Sequence, residues 1–144
     1  MIRTCAIVCL AVSITALGGC RSRKATPPPD TGSRAALQTF YNALIEQNWS
    51  GAYAQLHAEE QSRLSLAQFT DLAKAYRRDV GFEPARLQIR SCNEQGDTTI
   101  GHVVLIGTQS GHQHYRDAIS LKNDGSRWGI VLPATFGKPM KSEN

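Results

Sequence analysis

The sequence is short of several things, and each shortage removes a class of protein. Its 144 residues hold four cysteines, but Cys5 and Cys9 sit inside an apolar leader and Cys20 at its end. Only Cys92 is left for a folded part, and one thiol makes no internal disulfide, so this is not a disulfide-built scaffold. The longest greasy run, "CAIVCLAVSITAL", has thirteen residues, against about 20 for a bilayer-spanning helix. Gly101, Gly107 and Gly111 have no helix behind them, so they form no phosphate loop and read as turns or bulges. No motif asks for a cofactor. Charge excess is also missing from the body of the chain. The net charge is +4, yet residues 35–144 balance eleven basic against eleven acidic side chains. The excess lies in Arg3 and in Arg21, Arg23, Lys24 and Arg34, which precede the balanced part. A neutral domain behind a basic neck is not the footprint of a nucleic-acid binder. It suits a tether near an anionic membrane surface.

What is present starts with the leader. Met1–Leu17 carries one Arg near its start and then the apolar run, the layout of a secretory signal peptide. It closes on "LGGC", Leu17 to Cys20, which resembles the bacterial lipobox: an aliphatic residue, two small residues and a cysteine. Small side chains let a peptidase grip an extended backbone, and the thiol can take a diacylglycerol as a thioether. The resemblance implies cleavage between Gly19 and Cys20, lipidation of Cys20 and a partner in membrane lipid. One acyl chain holds a protein only marginally, at about 0.8 kcal/mol per buried CH₂, so two or three chains make an anchor. The competing reading is a transmembrane stub or plain secretory signal with a chance cysteine, and the length of the run counts against the stub. Residues 20–32, rich in proline, read as an extended spacer of about 3 Å per residue. Arg at position 21, where enteric inner-membrane lipoproteins carry Asp, implies the outer membrane of the cell envelope.

From Ser33 the apolar period is helical: Leu37, Phe40, Tyr41, Leu44 and Ile45 make one stripe. A second helix is expected in "NWSGAYAQLH", with Ser50 as N-cap. A third is expected in "SLAQFTDLAKAYRRDVG", with a Ser65–Gln68 capping box and Gly81 as its stop; Arg77 and Arg78 suit its C-terminal dipole. The period then becomes two. Leu87 and Ile89 alternate with Arg86, Gln88, Arg90 and Cys92; "TTIGHVVLIGT", "HQHYRDAISLK" and "RWGIVL" follow, the last two joined by an "NDGS" turn. The expectation is an α+β domain over residues 33–133, three N-terminal helices on one face of a curved four-stranded antiparallel sheet, with residues 134–144 a flexible tail.

"FYNALIEQNWSGAYAQL" and "SLKNDGSRWGIV" give this pattern its resemblance to the nuclear transport factor 2-like, or cystatin-like, cone, and within it to small bacterial lipoproteins. Enzymes of that superfamily, isomerases and cyclases, place an Asp or His base and a Tyr or Asp donor in the cone. By strand parity Tyr115 and Asp117 share the face of Ile119, so the resemblance makes Asp117 or His102 the candidate base and Tyr115 the donor. The plainer reading places Asp117 at a wet strand end beside an Arg, and His102 as a structural histidine. Tyr41, Tyr53, Phe69, Tyr76 and Trp128 lie at core spacings and are candidates to line a pocket. His112 and His114 share a strand face, a geometry metals accept, but no Cys or carboxylate completes the three or four ligands zinc needs. Cys92 falls on the polar face beside Arg90, open to an intermolecular disulfide or covered by the tail. The first expectation for function is therefore a lipid-anchored, non-catalytic domain that binds a small apolar ligand or an envelope protein. The alternatives are an isomerase- or cyclase-type enzyme, and a homodimeric envelope scaffold pairing through its open sheet face.

Overall fold

The computed structural model describes residues 30–109 and 113–138. The leader, the Gly19–Cys20 junction, the linker to Pro29 and His112 lie outside the described residues. Four helices precede four strands: α1 (Ser33–Ile45), α2 (Trp49–Ala54), α3 (Ala58–Arg63), α4 (Leu66–Val80), β1 (Pro84–Cys92), β2 (Thr98–Gly107), β3 (His114–Asn123) and β4 (Trp128–Val131). The strands form an antiparallel meander in the order β1-β2-β3-β4. The helices cover one face of it. This is the expected α+β arrangement, with one more short helix than the apolar pattern announced.

The helix ends follow local chemistry. Ser65 and Gln68 form a reciprocal capping box on α4, and Gly81, at φ 77°, closes it in the left-handed region where a side chain would be strained. On α2 the cap is Asn48 rather than Ser50: the Asn48 side chain accepts from the Gly51 amide at 3.0 Å. Arg77 does not serve its own helix. Its guanidinium donates to the carbonyls of Leu44 and Ile45 at 2.8 and 2.9 Å, closing the C-terminus of α1 and pinning it to α4. The start of α1 has a long-range cap. Glu94, in the β1–β2 turn, accepts from the amides of Thr31 and Ser33 and from the Thr31 hydroxyl, while Trp128 Nε1 donates to Thr31 Oγ1 at 2.8 Å. Slight burial works against ionisation of Glu94, but the bonds from Ser33 and Thr31 outweigh it and hold its carboxyl below the usual range. Asp30 to Gly32, assigned from the sequence to the spacer, thus belong to the folded domain.

Two irregularities in β1 decide which residues face inward. The pairing runs Ile89 to Val103 and then Ser91 to His102, so Arg90 is an extra residue, a bulge that reverses the alternation. Cys92 consequently pairs with Gly101 on the helix-covered side, half-buried, its sulfur 3.3 Å from Ser33 Oγ. That corrects its placement on the polar face. The close fit of α1 to the sheet is visible at Gly101, where an added Cβ would come within 2.5 Å of the Leu37 side chain. Both sheet edges are occupied. Residues 55–57 bridge β4 in parallel through His57 N to Ile130 O and Ile130 N to Gln55 O, each 2.8 Å, and Arg34 reaches the Ile89 carbonyl on β1.

The core lies between helices and sheet: Leu37, Phe40, Tyr41, Leu44, Leu56, Phe69, Leu105, Ile119, Leu121 and Ile130 are buried. Phe136 joins them. Its ring stacks on Tyr76 at 4.8 Å and on Phe69 at 6.3 Å, and Phe40 lies 6.4 Å away. The flexible tail expected from Ala134 is therefore corrected for residues 134–138. They fold back over the open end of the cone, and Gly137, with φ 65°, passes so near Leu72 that a Cβ would sit 2.3 Å from its carbonyl oxygen. Replacing a buried phenylalanine by alanine costs about 3–5 kcal/mol through lost transfer energy and cavity formation. Phe136→Ala is expected to lower the denaturant-unfolding free energy by that amount, where a residue in a flexible tail would change it by less than about 0.5 kcal/mol.

Candidate functional site

Two helices and one strand bring three oxygens together at the end of the cone that Phe136 closes. Tyr41 on α1 and Tyr76 on α4 stand on the buried stripes of their helices, and a buried phenol must find a hydrogen-bond partner. Both find the same one. Tyr41 donates to Asp117 Oδ2 at 2.7 Å and Tyr76 donates to the same oxygen at 2.6 Å. The other carboxyl oxygen accepts from the Ala118 amide at 2.8 Å. Among the described residues no Lys or Arg pairs with Asp117, so the expected arginine partner is replaced by two tyrosines.

Tyr115 is beside this cluster without joining its hydrogen bonds. Its ring meets that of Tyr76 edge-on, at 6.0 Å and 90°, and it is half-buried. All three phenols are held in their protonated form. For Tyr41 and Tyr76 burial is the main cause, with the charge of Asp117 and the bonds to it adding to the shift, and both are raised well above the ordinary value of 10.0. Tyr115 is raised too, by burial and then by Asp117 and Asp79. The space next to the cluster is a recess of about 130 Å³ lined by Tyr76, Asp79, Tyr115, Asp117 and Phe136. Drug-sized ligands occupy roughly 300–1,000 Å³. A general base needs a free lone pair aimed at a substrate proton, and an electrophilic donor needs a proton not already committed. Here the two phenolic protons are spent on the carboxyl oxygen that would act as base.

The remaining sequence candidates fall elsewhere. His102 is exposed on the opposite face of the sheet, paired across from Ala118 and Ser91, so it cannot act with Tyr115 or Asp117. Tyr53, Phe69 and Trp128 are core or near-core residues rather than pocket walls. The Tyr53 hydroxyl bonds to the Leu64 carbonyl at 2.8 Å, Trp128 is tied to Thr31, and Phe69 lies under Phe136. Of the five candidates to line a pocket, Tyr76 alone borders the recess. His114 is exposed, and among the described residues no three His, Cys, Asp or Glu side chains are grouped to hold a metal ion. On the far side of the sheet lies a larger groove, about 530 Å³, bordered by Ser91, Thr98, Ile100, His102, Lys122 and Val131.

Sequence reasoning paired Asp117 with the wrong tyrosine. The signal that could have corrected it is the position of Tyr41 and Tyr76 within apolar stripes: two phenols heading for the core need an acceptor there, and Asp117 is the carboxylate whose strand parity points inward.

No protein-family model matches the chain, and no curated protein matches it. Solved structures do. A Campylobacter jejuni protein described as a nuclear transport factor 2-like transpeptidase superposes with a TM-score of 0.54 at 11% identity, covering 69% of this chain and 98% of that one. A SEC-C motif-containing protein of Rhodopseudomonas palustris gives 0.51 at 12% identity, covering 68% of this chain and 73% of the other. At such identities the likeness establishes the fold: an α+β, nuclear transport factor 2-like cone.

Removing one donor from a charged acceptor costs about 1–3 kcal/mol, and a phenylalanine ring keeps the packing. Tyr76→Phe and Tyr41→Phe are each expected to lower unfolding free energy by that amount, with the double variant departing from additivity because both act on one oxygen. A phenol whose folded pKa is raised contributes stability in full below pH 10 and loses it as pH climbs beyond. Alkaline titration followed by phenolate absorbance should therefore show Tyr41 and Tyr76 ionising only as the chain unfolds, and Tyr76→Phe should move that alkaline transition.

Proposed function

We propose that the protein is a lipid-anchored protein of the bacterial envelope whose cone-shaped domain docks onto a partner and does not catalyse a reaction. The anchor reading is supported by Leu17-Gly18-Gly19-Cys20 at the end of a short apolar leader, followed by a basic, proline-rich neck. The described residues begin at Asp30, ten residues beyond Cys20. No helix among the described residues is long and apolar enough to cross a membrane.

One observation carries the preference for docking: Asp117 Oδ2 accepts both phenolic hydrogen bonds while Phe136 fills the cone above them. A base, a donor and a substrate would have to share about 130 Å³ of recess with groups already bonded to each other. The same filling weighs against a small apolar ligand within the cone and moves the binding role to the outer surface.

The test is intact-mass analysis of the full-length protein extracted from bacterial membranes by mild detergent. A mass beginning at a diacylglyceryl Cys20 is the expected result, and Cys20→Ala should leave the leader uncut. An unmodified mature chain starting at another residue would refute the anchor. A small molecule released from the native protein on denaturation, and lost in a Tyr76→Phe variant, would return the weight to the cone.

A further inference from the structure

We infer that the uncovered face of the sheet is the docking surface and that its partner is an anionic lipid bilayer, the membrane that holds the chain through Cys20; this rests on the anchor reading given above. The pairing register defines the face. His102 stands opposite Ala118 and Ser91, Arg116 opposite Val104, Ile100 opposite Ser120, and Lys122 opposite Thr98. No helix covers it. Ile100, at 55% exposed, is the more exposed of the two large apolar side chains described as exposed, and it lies in the 530 Å³ groove with Val131.

Charge selects the occupant. Among the described residues no carboxylate borders the groove. Lys122 lies at its edge, in contact with Glu59 at 3.2 Å, and Arg116 and His102 are exposed and make no ion pair among the described residues. A domain of balanced charge thus turns cations and an apolar side chain outward together. That combination suits lipid headgroups over a hydrocarbon interior, where Arg or Lys near an anionic surface and a buried apolar group both favour binding.

The tether sets the geometry. Thr31 is clamped to Glu94 and Trp128, and Asn93 and Gln95, either side of Glu94, border the groove. The chain therefore leaves the domain beside one end of this face. Ten residues reach at most about 35 Å, so an acylated Cys20 keeps the face within a short distance of the bilayer, and a weak attraction then acts at high effective concentration.

The experiment uses the full-length, acylated protein in vesicles of phosphatidylcholine with brominated chains, alone or mixed with phosphatidylglycerol, the bromines quenching nearby indoles in both. The reporter is Ile100→Trp, with Ser120→Trp, exposed on the neighbouring strand, as a second reporter in case the first does not fold. In phosphatidylglycerol vesicles quenching is expected to be several-fold above the parent chain's background. It should fall to that background in pure phosphatidylcholine, with added Arg116→Glu, or at about 1 M salt, where screening acts within about 3 Å. Chain that floats with the vesicles but shows no added quenching from either reporter overturns the inference and leaves the anchor standing. Chain that does not float overturns the anchor and this inference with it. An emission shift that depends on protein density and not on lipid charge assigns the face to a second copy of the chain and overturns the lipid partner.

Discussion

The structure hangs on one carboxyl oxygen. Asp117 Oδ2 accepts a hydrogen bond from α1 through Tyr41 and another from α4 through Tyr76, so two helices distant in sequence are registered against β3 at a single point. Half-buried beside aromatic rings, such a carboxyl group is costly unless its bonds are made, and the two buried phenols would be costly without it. Each of the three groups makes the burial of the others tolerable. Arg77, the next residue of α4, repeats the logic, its guanidinium donating to the last carbonyls of α1. The helical layer is thereby fixed by directional bonds as well as by hydrophobic contact, which is non-directional and would leave helices free to slide.

That arrangement explains how a fold that can hold a pocket comes to be solid here. Phe40, Phe69, Tyr76 and Phe136 stack through the space a ligand would need, the last of them delivered by a segment after the final strand. The cone is closed by its own chain. The sheet's other face, bordered by Ile100, His102 and Lys122, is left open, so the two faces are suited to different work. The helix-covered face supplies cohesion, and the bare face is the one able to meet something else.

Much of this was legible in the residues. The stripe Leu37–Ile45, the Ser65–Gln68 box, the Gly81 stop and the "NDGS" turn gave helix, boundary and hairpin by local rules, and all four stand. What escaped was set by tertiary contact. α3, with the sequence AEEQSR, is a six-residue helix with no apolar period to betray it. The bulge at Arg90 breaks the strict alternation on which the placement of Cys92 relied, and nothing local in "IRSC" announces it. Phe136 stands alone among Pro, Gly and Lys, so pattern reading took it for tail. A lone aromatic has no periodicity, and only the hole it fills explains it. The site was half readable: Asp117 and Tyr115 were rightly turned inward, and the apolar stripes of α1 and α4 send Tyr41 and Tyr76 toward the same core, but the distances that join them to one oxygen depend on how the two helices lie across the sheet.

The clamp at Thr31 has a mechanical meaning. Any pull on the chain from its amino-terminal side enters the domain there, and Thr31 is bonded at once to the β1–β2 turn through Glu94 and to β4 through Trp128. Tension is thus divided between two separate parts of the sheet before it reaches α1. The helix is shielded from being peeled off turn by turn, and the strands take the strain along bonds that must break together.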